Sequence, residues 1–185
     1  MSVAPIEETE NVQLPTEQIN KDTVMFWIER SKNGNIVVYE GAKTKNDLKH
    51  FDSIDGYWLD IDPDYVKVNR SNGKKDDRSE LSYLERTMAY GCTVDSEFIK
   101  PDMKKKVSLV ALPQLEAYLV TDTEANKPYL TTKINGKHCI LKKVYVKTQE
   151  SIFGMPKVNY IEIYGVTLES KKKGKTIIIK EKITN

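Results

Sequence analysis

The sequence predicts a mainly β fold, an antiparallel β-barrel or sandwich of about nine strands with one embedded α-helix. Three observations carry that expectation. β-branched and aromatic runs recur along the chain, Asn-Gly dipeptides stand between two pairs of them, and neither an internal repeat nor a βαβ alternation is present.

The runs follow in order. Val24–Arg30 and Asn35–Glu40 flank Lys32-Asn33-Gly34, which reads as a hairpin because Asn and Gly tolerate the positive φ of a tight turn. Gly56–Ile61 reads as a third strand, and Lys106–Leu112 and Leu115–Thr121 as two more, broken at Pro113-Gln114. Tyr129–Ile134 and His138–Lys147 enclose Asn135-Gly136, a second hairpin signal. Val158–Leu168 and Lys175–Ile183 close the chain around Lys171-Lys172-Lys173-Gly174. One segment reads as helix: Ser79 as cap, Leu81, Leu84 and Met88 on one face, and Gly91 as the stop. A shorter helical turn is expected at Lys45–Phe51, and the polar run Asn69–Arg78 reads as a loop.

In a chain of 185 residues the body, residues 24–185, is expected to be one β-rich domain. Residues 1–23 differ in composition. They carry five acids against one base, two prolines and no aromatic residue, which reads as a flexible or docking arm. That arm holds a formal charge of −4, so the chain total of +2 leaves +6 for the body. A net charge of +2 does not fit a general nucleic-acid binder, and no specific nucleic-acid partner is expected. No run approaches the ~20 apolar residues of a membrane helix. The first residues lack the charged and apolar regions of a secretory signal, Ser2 excludes myristoylation, and the last four residues are no prenylation box. A soluble, cytoplasmic protein is the expectation, and two cysteines are compatible with a reducing compartment.

Catalysis by a nucleophile needs a base and an orienting group beside it. The chain has only His50, which reads as a surface residue, and His138, which stands next to Cys139 on a strand, where neighbouring side chains point to opposite faces. No catalytic residue and no cofactor are assigned. Asp60, Asp62 and Asp64 alternate as ligands of a hard cation could, yet they lack the glycine and glutamate of a calcium loop and read as a strand ending in an Asp-Pro turn. Lys104, Lys105 and Lys106, with Lys171, Lys172 and Lys173, are the local charge concentrations. They read either as solubilising boundaries of strands or as a surface for an acidic partner. Glu29, Arg30, Glu85, Arg86 and Glu162 interrupt apolar runs. In a small barrel such charges must be paired, as an internal Arg–Glu network or around an anionic ligand held by Arg30 and Arg86.

Three stretches together resemble a small family of bacterial and protist proteins, a domain of unknown function. They are Phe26–Asn33 with Asn35–Tyr39, Gly56-Tyr57-Trp58, and Leu84–Gly91; Val144–Val146 and Val158–Gly165 are similar to that family's closing strands. The resemblance spans roughly residues 24–168 and implies that the body is one domain with the Glu-Arg pairs in its framework. It implies no activity, cofactor or catalytic residue. Many bacterial members look exported, and this chain shows no such signal, which favours the cytosol or an internal assembly.

The function expected is therefore a non-catalytic protein-interaction or structural module in a larger intracellular assembly, the cytoskeleton among the candidates. A small-ligand carrier with its pocket inside a barrel is the alternative. An enzyme using paired carboxylates such as Glu29 and Glu85 is the third reading.

Overall fold

The computed structural model describes residues 22–45, 47–64, 78–154, 156–174 and 177–184. The expected acidic arm therefore lies outside the described residues except for Asp22 and Thr23, as does most of the polar loop at 69–78.

The mainly β class holds, with eleven strands among the described residues where about nine are expected. They are β1 (Val24–Arg30), β2 (Asn33–Ala42), β3 (Ser53–Leu59), β4 (Arg78–Glu80), β5 (Cys92–Val94), β6 (Lys105–Leu109), β7 (Leu112–Asp122), β8 (Lys127–Ile134), β9 (Lys137–Glu150), β10 (Pro156–Thr167) and β11 (Ile178–Thr184). Between β4 and β5 lie the one-turn helix α1 (Tyr83–Glu85) and a π-helical turn, Arg86–Tyr90; α2 (Leu168–Lys172) follows β10.

β9 organises the sheet. Its first half pairs antiparallel with β8, from Ile134↔Lys137 to Thr131↔Ile140. Its second half pairs parallel with β1, from Trp27↔Lys143 to Arg30↔Val146. β10 runs along the opposite edge of β9 and carries β11. Two arms thus leave one edge of β9, β1-β2-β3-β4 and β8-β7-β6-β5, and the sheet is mixed rather than purely antiparallel. The far ends of the arms return toward each other, β5 against β3, without ladder hydrogen bonds, so the sheet does not close into a barrel.

The space between the arms is filled by side chains. Phe26, Ile28, Tyr39, Leu119, Leu130, Leu141 and Ile163 are among the fully buried residues, and Phe26 stacks on Tyr39 with ring centroids 4.4 Å apart. A second cluster, Trp27, Ile36, Val38, Tyr57 and Leu59, occupies the other face of β1–β3. Burial on both faces explains why these strands read as continuous apolar runs rather than as alternation. Gly165 permits the close packing of β10: a Cβ there would stand 2.6 Å from Ile134 Cδ1 and 2.8 Å from the Ile140 carbonyl oxygen.

The hairpin signals separate into two kinds. Asn135 and Gly136 have φ of 49° and 75° and form the β8–β9 turn as expected. The β1–β2 turn sits instead at Ser31-Lys32, and Asn33-Gly34 already belongs to β2. Gly34 serves close approach: its N–H donates to Asp62 Oδ2 at 3.2 Å, and a Cβ would lie 2.6 Å from that oxygen. The expected break at Pro113-Gln114 falls at Val110-Ala111, with Pro113 inside β7. Among the described residues, 45 and 47–51 are not helical; the Asp47 carboxylate accepts from the Lys49 and His50 amides in a turn.

Candidate functional site

The segment from Leu81 to Gly91 connects β4 to β5, the last strands of the two arms, and is held by identifiable bonds. Ser82 is the N-cap of α1. Its hydroxyl accepts from the Glu85 amide at 3.2 Å, while Glu85 Oε2 accepts from the Ser82 amide at 2.7 Å, a complete capping box. Arg86 Nε donates to the Leu81 carbonyl at 3.0 Å, and the Thr87 hydroxyl donates to the Tyr83 carbonyl at 2.8 Å. Gly91 ends the π-helical turn in an extended conformation, and only glycine fits there, because a Cβ would fall 1.9 Å from the Arg86 carbonyl oxygen.

Tyr90 anchors the segment inward. Its carbonyl accepts from the Tyr39 hydroxyl at 2.9 Å, and its ring meets Trp58 edge-on at 5.3 Å. The Arg30 guanidinium lies against both rings, 5.2 Å from the Trp58 centroid and 5.3 Å from that of Tyr90. Burial pushes the Tyr90 hydroxyl up, and Arg30 works in the opposite direction. Arg30 Nε is buried without a hydrogen-bond partner, and among the described residues no carboxylate pairs with this arginine.

With Leu81 and Tyr90 turned inward, the outer side of the segment presents three large apolar side chains beside Ser82, Arg86 and Thr87. Tyr83, Leu84 and Met88 are 81%, 65% and 75% exposed. The single face expected for Leu81, Leu84 and Met88 does not form: Leu81 is buried, whereas Leu84 and Met88 are exposed. Leu81 precedes the helix, Ser82 rather than Ser79 caps it, and the wider π turn shifts the later residues off a 3.6-residue repeat. Beside the patch is a groove of about 210 Å³ lined by Ile54, Leu81, Arg86, Tyr90, Cys92 and Val110 among others. Ile152 and Phe153, at the β9–β10 turn, form a second exposed apolar pair.

The five charges expected to form one internal network occupy different places. Glu29 and Glu162 lie on the outer face of β1, β9 and β10. Glu29 accepts from Trp27 Nε1 at 3.0 Å and sits 3.8 Å from Lys143 Nζ. Glu162 accepts from the Tyr164 hydroxyl at 2.7 Å and lies 3.2 Å from Lys180 Nζ. Burial works against the Glu162 charge, yet Tyr164 and Lys180 hold its carboxyl below the usual range. Arg30 faces inward, Glu85 completes the helix cap, and Arg86 is exposed. Glu29 and Glu85 therefore belong to separate local arrangements and do not face one another across a shared hydrogen-bonded site.

The lysine clusters divide as well. Lys105 is only 7% exposed, its ammonium 4.5 Å from the Phe98 ring, whereas Lys106 is exposed and Lys104 covers Tyr118 at 4.1 Å. Lys171, Lys172 and Lys173 are exposed on and just after α2. Lys172 and Lys173 border a groove of about 650 Å³ whose lining includes Lys137, Ile177 and Ile179. Asp60 accepts from the Ser79 hydroxyl at 2.6 Å, and Asp62 accepts from the Gly34 and Asp64 amides, so these acids serve turns and strand ends. Among the described residues no three metal-type ligands gather. Both cysteines are free thiols; burial pushes Cys92 up to about 12 and Cys139 up to about 11, away from nucleophilic thiolate character. His138 is exposed and Cys139 buried, on opposite faces as the strand alternation requires.

Fold and site together define a β-rich domain built on a forked mixed sheet, carrying a pinned helical segment that exposes Tyr83, Leu84 and Met88. The family described as a domain of unknown function, DUF4833, matches residues 26–176, and the chain belongs to it. The match covers the Phe26–Asn33 and Leu84–Gly91 motifs and starts after the acidic arm. No curated protein and no solved structure matches the chain.

Proposed function

We propose that this protein is a non-catalytic interaction module that binds a protein partner through the Tyr83–Met88 segment, as a component of a larger cytoplasmic, cytoskeleton-type assembly. The observation that supports the reading is the outward apolar patch of Tyr83, Leu84 and Met88 on a backbone held by a capping box and by Tyr90. Tyrosine and methionine are enriched at interfaces, and a pre-organised segment loses little entropy on docking. Covering Leu84 and Met88 would contribute about 1.5–3 kcal/mol each, in line with interface anchors. The exposed lysines Lys104, Lys106 and Lys171–Lys173 would add electrostatic steering toward an acidic partner rather than most of the affinity. Two free thiols are compatible with the proposed reducing compartment. Since side chains fill the space between the arms, a carried ligand would have to use the surface grooves, which makes the carrier reading the weaker one.

The test is affinity capture from native lysate with the wild-type chain, with the Leu84→Glu/Met88→Glu variant, and with Lys171–Lys173 neutralised. The double variant is expected to keep its melting temperature within about 3 °C and to lose a stoichiometric partner. The lysine variant is expected to lose part of it. Recovery of the same partner at the same stoichiometry by a folded double variant would overturn the proposal.

A further inference from the structure

The groove of about 650 Å³ beside α2 lies between that helix, the β8–β9 turn and the approach to β11. Its walls are held by local bonds. The Thr167 hydroxyl caps α2 by accepting from the Ser170 amide at 3.2 Å. The buried Ser170 hydroxyl donates to the Thr167 carbonyl at 2.9 Å and accepts from the Ile177 amide at 3.2 Å. Leu168 and Ile177 give the groove an apolar lining, and Lys137, Lys172 and Lys173 stand exposed along it. The carboxylate on its lining, Glu169, is already 2.9 Å from Lys173 Nζ. Among the described residues neither Lys137 nor Lys172 has a carboxylate partner.

The described chain begins close to the same helix. Asp22 is 3.3 Å from Lys127 Nζ at the start of β8. Lys127 and Tyr129 share the outer face of β8, whose inward residues include Pro128 and Leu130. Lys171 of α2 stands on that outer face, 4.9 Å from the Tyr129 ring centroid. Residues 1–21, which lie outside the described residues, therefore join the body on the side where α2 sits. From Lys127 to Ile134, next to the turn that lines the groove, is seven residues, about 23 Å of strand. Glu10 is twelve residues ahead of Asp22, a reach of about 40 Å, whereas Glu17 reaches only about 17 Å. Three of the four acids in residues 1–21 are Glu7, Glu8 and Glu10, between the apolar Ile6 and Val12. In an extended chain Ile6, Glu8, Glu10 and Val12 share one face, two carboxylates flanked by two apolar side chains.

We propose that residues Ile6–Val12 of the acidic arm dock in this groove of their own chain, with Glu8 and Glu10 on Lys137 and Lys172 and with Ile6 and Val12 on Leu168 and Ile177. Exposed ion pairs are individually weak, but the tether supplies an effective concentration on the order of millimolar. A docking of only millimolar strength is therefore enough to populate the bound arm. The docked arm covers lysines of α2, so an acidic partner steered to Lys172 and Lys173 has to compete with it. The docking is independent of the Tyr83–Met88 patch.

The experiment places a nitroxide on the full chain at Asn11→Cys and reads paramagnetic broadening of backbone amides by NMR. Burial keeps the Cys92 and Cys139 thiols protonated at neutral pH, so the label goes to the new cysteine. Broadening is expected to be strongest at Gly136–His138 and Leu168–Lys173 and to be unchanged by dilution. Glu8→Gln/Glu10→Gln, Lys137→Gln/Lys172→Gln and about 0.5 M potassium chloride are each expected to reduce it at least about threefold. The arm variant changes no residue of the body, so it carries the test should the lysine variant fail to fold. Broadening spread evenly over the surface, centred on another site, or undiminished in the folded variants would overturn the proposal. So would broadening that fades on dilution, which would put the arm on a second copy of the chain.

Discussion

Arg30 shows how one side chain can hold two distant segments together without an ion pair. Its guanidinium lies against Trp58 of β3 and Tyr90 of the π-helical turn, two aromatic partners that each contribute about 0.5–2 kcal/mol according to their desolvation. Against this stands a buried Nε with no partner, which costs about 1–3 kcal/mol. The two effects are of similar size, so the charge should matter less than the stem. Arg30→Met is expected to change unfolding free energy by no more than about 1 kcal/mol, because the stem still fills the space between the rings. Arg30→Ala is expected to lose about 2–3 kcal/mol through lost packing. Urea denaturation of both variants checks this; equal losses would mean that the charge itself is required.

At the scale of the element, the segment between β4 and β5 depends on its two ends. Ser82→Ala removes the hydroxyl half of the capping box and should cost about 1 kcal/mol. Gly91→Ala should cost more, because the new Cβ meets backbone, the Arg86 carbonyl oxygen, rather than a side chain that can rotate away. Hydrogen exchange at Arg86–Tyr90 in the two variants is the measurement, with faster exchange confined to this segment expected in Ser82→Ala. Its stop at Gly91 is legible in sequence, but as a generic helix end. The clash that makes glycine necessary comes from the π turn, which no local pattern announces. Leu81, Leu84 and Met88 illustrate the same limit: their spacing fits a buried face, yet only Leu81 is buried because Tyr90 supplies the inward anchor.

Across the whole molecule, buried neutral acids should make stability fall in alkali. Burial raises Cys92 to about 12, Cys139 to about 11 and Tyr57 to about 12, and it raises Tyr39 as well. In the unfolded chain thiols ionise near ~8.5 and phenols near ~10, so above those values the folded state holds more protons than the unfolded one. The stabilisation is complete below about pH 8.5 and is lost as pH rises through the folded values. The melting temperature is expected to be level from pH 7 to about 8.5 and then to decline, with a shallower decline in Cys92→Ala. A profile still level at pH 11 would contradict the burial of these groups.

Local chemistry is enough to specify the mainly β class, the Asn135-Gly136 hairpin, the opposite facing of His138 and Cys139, and the motifs shared with the family. Each of these follows from chemistry within a few residues: a period of two, a positive φ, a β-branched run. Long-range contacts decide that β9 takes β8 and β1 on one edge, that Gly34 and Gly91 serve close approach, that Tyr83, Leu84 and Met88 face outward, and that Arg30 lies against Trp58 and Tyr90. Those outcomes depend on contacts between residues far apart in the chain. Which face is covered, and which charge lacks a counter-ion, are properties of the neighbours that folding brings together.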